Sequence, residues 1–204
     1  MEAIDNKKIY KSIYSAKAAT ESIQIPDLTY LTIDGAGNPN NSPEFSSAVE
    51  ALFSVSYAMK FMIKKQFEKN YVVMPLEGLW WTEDMDKFQI LDKSNWLWTL
   101  LIMQPKEVTE EMLAKAKEQA KTKKQNPYID KLNLVTLKEG TSAQIMHIGP
   151  YSSEAENVQK LHKFIQDQGK RFDGLVQKHH EIYLSDMRKT SPEKMKTLIR
   201  QPYI

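Results

Sequence analysis

Cysteine is absent from the 204 residues. That one absence excludes a disulfide framework, a cysteine-ligated metal and a thiol nucleophile. Long apolar runs are missing too: none approaches the roughly 20 residues that cross a bilayer. The opening Met1-Glu2-Ala3-Ile4-Asp5 has no basic stretch followed by an apolar one, so the expectation is a cytoplasmic chain with no membrane partner. Nor is there an excess of one charge. The 28 basic and 26 acidic residues are interspersed and leave a net charge of +2, which gives no electrostatic footing for direct nucleic-acid binding. The glycines of Asp34-Gly35-Ala36-Gly37-Asn38-Pro39 lack the third member of a dinucleotide fingerprint, and Pro39 blocks immediate entry into a helix. No serine sits in a nucleophile-elbow context. Adjacent His179 and His180 face opposite ways on a strand, and a second ligand cluster is missing, so neither a metal nor a cofactor is expected.

What is present is ordinary globular material, 41% hydrophobic and 10% aromatic, enough for one sizeable domain. Residues 1–26 read as an arm packed on that domain. Leu28-Thr29-Tyr30-Leu31-Thr32-Ile33 is a strand that stops at a cluster of turn formers. Ser42 caps a long amphipathic helix with Pro43 in its first turn, and Phe45, Val49, Leu52, Val55, Met59 and Met62 form its buried stripe. Tyr71-Val72-Val73-Met74-Pro75 opens a strand carrying Glu77. Connecting turns at residues 82–87 and 92–94 lead to a buried strand over residues 95–103. Thr109 begins a helix with a Glu111–Lys115 pair, and Lys121, Lys123 and Lys124 complement its dipole.

The second half repeats this order. Residues 132–137 and 143–148 read as a hairpin turning at Glu139-Gly140. Ser153 and Glu156 have capping-box spacing, and Gly169 ends that helix in a left-handed cap. A strand over residues 179–184 carries Glu181. Residues 195–202 admit helix or strand, and strand is chosen because it completes the repeat. The fold class expected is α+β: duplicated βαββ modules (27–104 and 128–204) joined by a helix (105–127), with antiparallel sheets, helices on one side and a pocket between the modules.

Within each strand Glu77 shares a face with Leu79 and Trp81, and Glu181 with His179 and Tyr183. One strand from each half is expected to bring Glu77 and Glu181 to the walls of one pocket. Carboxyl groups walled by indole and phenol rings lose hydration, so at least one would titrate high and the pair would divide into acid and base. Trp80, Trp81, Tyr151 and Tyr183 would supply stacking area. His147 reads as a sheet histidine or a pocket residue, and Tyr151 equally as a turn anchor or a ring wall.

Five separated stretches appear in a set order: Asp34-Gly35-Ala36-Gly37-Asn38-Pro39, Tyr57-Ala58-Met59-Lys60-Phe61, Pro75-Leu76-Glu77-Gly78-Leu79-Trp80-Trp81, His147-Ile148-Gly149-Pro150-Tyr151 and His179-His180-Glu181-Ile182-Tyr183-Leu184-Ser185-Asp186. Together they resemble the GyrI-like small-molecule-binding family over nearly the whole chain. The resemblance implies a duplicated βαββ fold with a ligand pocket. That fold serves as the drug-sensing half of transcription regulators and as stand-alone proteins, some of which open the strained cyclopropane of DNA-alkylating toxins with water. It further implies a small hydrophobic, aromatic or cationic ligand and a hydrolase with Glu77 and Glu181 as its strand glutamates. The alternative is a non-catalytic multidrug-binding or sensing protein. Met187 and the ending Pro202-Tyr203 depart from the family pattern, and a homodimer is left open.

Overall fold

The computed structural model describes residues 4–83 and 93–204. Expected turn residues 84–87 and 92 therefore lie outside the described residues. Eight strands form one antiparallel sheet in the order β1-β6-β8-β7-β3-β4-β2-β5. They are β1 (Glu21–Ile25), β2 (Leu28–Ala36), β3 (Glu77–Trp81), β4 (Leu97–Met103), β5 (Asn133–Leu137), β6 (Gly140–Ile148), β7 (His179–Tyr183) and β8 (Lys196–Pro202). The helices are α1 (Asn6–Ile9), α2 (Pro43–Phe67), α3 (Glu110–Lys123) and α4 (Ala155–Asp167). The α+β class is as the sequence indicates. Two βαββ units, β2-α2-β3-β4 and β6-α4-β7-β8, lie side by side and meet at the β3–β7 pair.

Local signals account for most boundaries. Ser42 Oγ accepts from the Phe45 amide at 3.2 Å with Pro43 at the helix start, and Thr109 Oγ1 accepts from the Met112 amide at 3.2 Å. Each thereby satisfies an amide that has no partner within its helix. Lys115 pairs with Glu111 at 2.5 Å. Gly169 takes the left-handed φ of 68° that ends α4, and residues 196–202 form a strand.

Two expectations about the strands fail. Residues 71–76 lie outside the sheet apart from one bridge between Tyr71 and Ile4, so β3 begins at Glu77. The expected hairpin of residues 132–148 does not form either: β5 pairs with β2, and β6 pairs with β1 and β8. Ile25 lies opposite Gly140 and Leu28 opposite Leu137, so one register runs through Pro26-Asp27 on one side and Lys138-Glu139 on the other. Two long strands therefore bend together at a corner, and Gly140, at φ 63°, supplies the bend instead of a chain reversal.

That corner forces the sheet to curl. In a flat sheet β1 would stand six strand spacings, about 29 Å, from β2, yet two residues join them, and three peptide steps reach only about 11 Å. Inside the curl Ile13 and Tyr14 of the N-terminal segment are buried. On the other face α2 packs over β2 and β4, and α4 over β6 and β8. The central strands β3 and β7 are left as the floor of a groove between the two helices.

Candidate active site

The β3–β7 register decides which side chains can meet. Glu77 lies opposite Ile182, Gly78 opposite Glu181, Leu79 opposite His180 and Trp80 opposite His179. Directly opposed residues share a face. Glu181 therefore shares one with Gly78, Trp80, His179 and Tyr183, whereas Glu77 shares the other with Leu79, His180 and Ile182. Glu77 and Glu181 do not meet in one pocket, which corrects the expectation from sequence. An offset of one residue between adjacent strands is enough to separate them.

Glu77 belongs to the interior of the curl. Its Oε1 accepts from the Tyr14 hydroxyl at 2.7 Å, and its Oε2 lies 2.9 Å from His180 Nε2. His180 Nδ1 lies 2.8 Å from Glu139 Oε1 at the sheet corner. Arg200 Nη1 donates to Glu139 Oε2 at 3.1 Å, and its Nη2 to the Ile13 carbonyl at 2.5 Å. Two acidic and two basic side chains are thus sealed together, which is how a core tolerates charge. Burial alone would push His180 down, but Glu139 and Glu77 raise it to about 9. Burial would likewise raise Glu139, but His180 and Arg200 bring it to about 2. This cluster staples the N-terminal segment, the corner, β3, β7 and β8. Its Glu77 has no route to a ligand, being fully buried.

Glu181 faces the groove, where its side chain keeps 14% exposure. Its Oε2 accepts from the Tyr183 hydroxyl at 2.7 Å, and that hydroxyl accepts from Trp80 Nε1 at 3.1 Å. Its Oε1 lies 3.2 Å from His179 Nε2. The second carboxyl of the groove is Glu154, which is buried beside the charge of Glu181. Burial first, and then the charge of Glu181, push Glu154 well above the usual carboxylate range. Burial would raise Glu181 as well, but His179, Tyr183 and the Lys93 ammonium hold it below its ordinary value. At neutral pH the pair is one protonated acid beside one carboxylate. Tyr183 is raised well above an ordinary phenol by burial and by Glu181, and Tyr151 is raised to about 12 by burial, Glu154 and Glu181, so both keep their protons.

Glu154 is the residue that sequence reasoning missed. The capping box expected at Ser153 and Glu156 does not form: a 3-10 turn over Tyr151–Ser153 precedes α4, whose N-terminal boundary residue is Glu154. Ser153 Oγ donates to the Pro150 carbonyl at 2.8 Å instead of capping a helix amide. His147 is buried beneath this turn. Its Nε2 lies 3.1 Å from the Pro150 carbonyl, which can only accept, and its Nδ1 lies 3.0 Å from Asn157 Nδ2. These partners fix the Nε2–H tautomer and make His147 a support for the turn that carries Tyr151 and Glu154.

The rings gather on the same side. Tyr151 meets Tyr183 edge-on at 5.6 Å, Trp80 meets Trp96 at 5.3 Å, and Phe45 of α2 lies 6.1 Å from Trp80 and 5.3 Å from Trp98. Trp81, one residue out of phase with Trp80, is not among them; the Lys178 ammonium sits 3.4 Å from the centroid of its ring. Trp96 also lines a cleft of about 430 Å³ together with Ala36, Thr82, Ser94 and Leu97. The groove thus holds a proton donor, a proton acceptor and two phenols, with the buried indoles of Trp80, Trp96 and Trp98 packed behind them.

Comparison with known proteins agrees with this architecture. No curated protein gives a significant match. An uncharacterized conserved protein from Listeria innocua is 43% identical, with a TM-score of 0.91 over 98% of this chain and 100% of its own. A hydrolase encoded by lin2189 from the same organism is 41% identical, with a TM-score of 0.88 over the whole of both chains. The EcmrR C-terminal domain shares the fold alone, at 13% identity and a TM-score of 0.55 over 91% of this chain and 96% of its own. No described helix is long and apolar enough to cross a membrane. The model of the GyrI-like small molecule binding domain matches residues 19–203, and the chain belongs to that family.

Proposed function

We propose that this protein is a hydrolase that adds water to a small, electrophilic ring, a cyclopropane conjugated to a carbonyl, in the groove over Glu181. The observation that carries this reading is the buried Glu154–Glu181 pair, in which burial and the charge of Glu181 raise Glu154 while His179, Tyr183 and Lys93 hold Glu181 down. The naming of two proteins from Listeria innocua, 41% and 39% identical, as hydrolases supports it.

In the proposed reaction Glu181 accepts a proton from water as its oxygen bonds to a ring methylene. The cyclopropane C–C bond breaks, and its electron pair flows through the conjugated system onto the carbonyl oxygen, which takes the proton of Glu154. Water is thereby added with its hydroxyl on the former ring methylene and its proton on the former carbonyl oxygen. Proton transfer from Glu181 to the neighbouring Glu154 restores the starting state. Tyr183 and His179 orient the base, and the half-buried ring of Tyr151 offers flat area to an aromatic substrate. Glu181 keeps the catalytic role expected of it, while Glu77 passes its place to Glu154 and becomes structural.

Incubating the protein with a cyclopropane-bearing alkylating agent and analysing the products by mass spectrometry tests this reading. The expected product is the ring-opened alcohol, heavier than the substrate by one water. Recovery of unchanged compound would refute it. Glu181→Gln and Glu154→Gln are each expected to reduce turnover by at least about a hundredfold.

A further inference from the structure

The sheet has two free edges, β1 and β5, and they are not alike. β1 carries the charge of Glu21 and runs into Pro26, both of which discourage a further strand. β5 has neither. Its Asn133-Leu134-Val135-Thr136-Leu137 is uncharged and free of proline, and Asn133, Val135 and Thr136 are exposed. The ladder on the far side of β2 decides which backbone groups of β5 point outward. Gln104 donates its amide to the Thr29 carbonyl at 2.9 Å, and Gly37 donates to the Trp96 carbonyl at 2.7 Å. The odd-numbered residues of β2 therefore bond to β4 and the even-numbered ones to β5. Tyr30 lies opposite Val135 and Thr32 opposite Asn133, which assigns the amides and carbonyls of Asn133, Val135 and Leu137 to β2. Those of Leu134 and Thr136 face away from the sheet and have no partner among the described residues.

An exposed strand edge is a template for another strand. We infer that β5 is a dimerisation edge, on which β5 of a second copy of this chain pairs antiparallel about Val135. The occupant is a second copy because the strand complements itself. With Val135 opposite Val135 of that copy, Leu134 meets its Thr136 and Thr136 meets its Leu134, each pair exchanging both of its bonds, so every outward group of both strands is satisfied. The two Val135 side chains then face each other across the axis in a pair without hydrogen bonds, with Cβ atoms about 5 Å apart. Each is 44% exposed in the single chain. Charge does not oppose the approach. No charged residue lies within either strand, and the flanking Lys131 and Lys138 already lie 3.9 Å from Glu44 and 3.4 Å from Asp27 of their own chain. Two short strands bury less than the roughly 1,200 Å² of the smaller stable interfaces, so the dimer is a weak one that forms with concentration. The junction extends the sheet beyond β5, while the Glu181 groove lies at its centre over β3 and β7.

Sedimentation velocity on the full chain over a range of concentrations, with amide hydrogen exchange followed residue by residue, tests the inference. A shift from monomer to dimer is expected as concentration rises, and with it slower exchange of the Leu134 and Thr136 amides. Thr136→Pro removes an amide that β2 does not use, so the circular dichroism spectrum is expected to hold while association weakens by at least about tenfold. Val135→Lys sets two ammonium groups opposite each other across the axis and is expected to weaken association as much, so it decides the matter even if the proline variant fails to fold. A chain that stays monomeric at every concentration would overturn the inference. So would a dimer that keeps its affinity in Val135→Lys, or one in which the Leu134 and Thr136 amides exchange as fast as in the monomer.

Discussion

Gly78 stands directly across from Glu181 in the β3–β7 pair, and a Cβ at Gly78 would lie 2.8 Å from Nε1 of Trp80, the nitrogen that donates to Tyr183. Gly78 thus keeps open the space in which the Trp80–Tyr183–Glu181 chain of hydrogen bonds is assembled.

Gly78→Ala is therefore expected to push the indole aside and break its bond to Tyr183 without unfolding the sheet. The expected result is about a tenfold loss of kcat/KM on a cyclopropyl substrate, with a shift of tryptophan fluorescence and a far-ultraviolet circular dichroism spectrum that does not change. Unaltered kinetics would show that Trp80 does not position Tyr183 and Glu181.

The two strand glutamates should separate in their effects. Glu77→Gln breaks a sealed charge cluster and is expected to cost about 3–5 kcal/mol of stability in denaturant titration, with turnover per folded molecule largely retained. Glu181→Gln is expected to abolish turnover while leaving most of the stability in place. A reversed pattern would place the chemistry inside the curl.

The pH–rate profile should be bell-shaped. Activity falls on the acid side as Glu181, held below its ordinary value, takes up a proton. It falls on the alkaline side as Glu154, held well above the carboxylate range, loses its own. Glu154→Gln should remove the alkaline limb from what turnover remains, and an alkaline limb that persists would assign it to another group.

Stability should follow the inner cluster. His180 is raised from 6.5 to about 9, so its contribution is complete below about 6.5 and is lost as pH rises through about 9. Glu139 is lowered from 4.5 to about 2, so its contribution is complete above about 4.5 and is lost as pH falls through about 2. Denaturation midpoints measured from pH 5 to 10 should decline on the alkaline side, and His180→Gln should flatten that decline.

Gly35 offers a check on packing alone. A Cβ there would fall 2.1 Å from the six-membered ring of Trp98, which is completely buried. Gly35→Ala is expected to cost about 3 kcal/mol or more, read as a lowered thermal midpoint.

Much of the molecule is legible along the chain. Ser42 with Pro43, Thr109 and Gly169 mark helix ends through bonds that span only a few residues, so their sequence signals survive folding. The same locality explains why the parity of His179, Glu181 and Tyr183 could be read from strand periodicity, and their hydrogen bonds agree with it. Glu139-Gly140 misleads because a glycine at positive φ serves a hairpin and a bent strand equally well. Only the partner strand, β1 running into β2, distinguishes them. Ser153 misleads because the Pro150 carbonyl competes for its hydroxyl.

By itself the sequence determined the two βαββ units, the side of its own strand on which each glutamate lies, and the family to which the chain is related, since all of these rest on local periodicity and on ordered motifs. Tertiary structure alone decided which carboxyls meet. The register between β3 and β7 is a long-range property, and its offset of one residue sends Glu77 into a sealed charge cluster and leaves Glu181 to Glu154. Burial then divides the proton unequally between those two, because two adjacent carboxylates withdrawn from water cannot both stay charged.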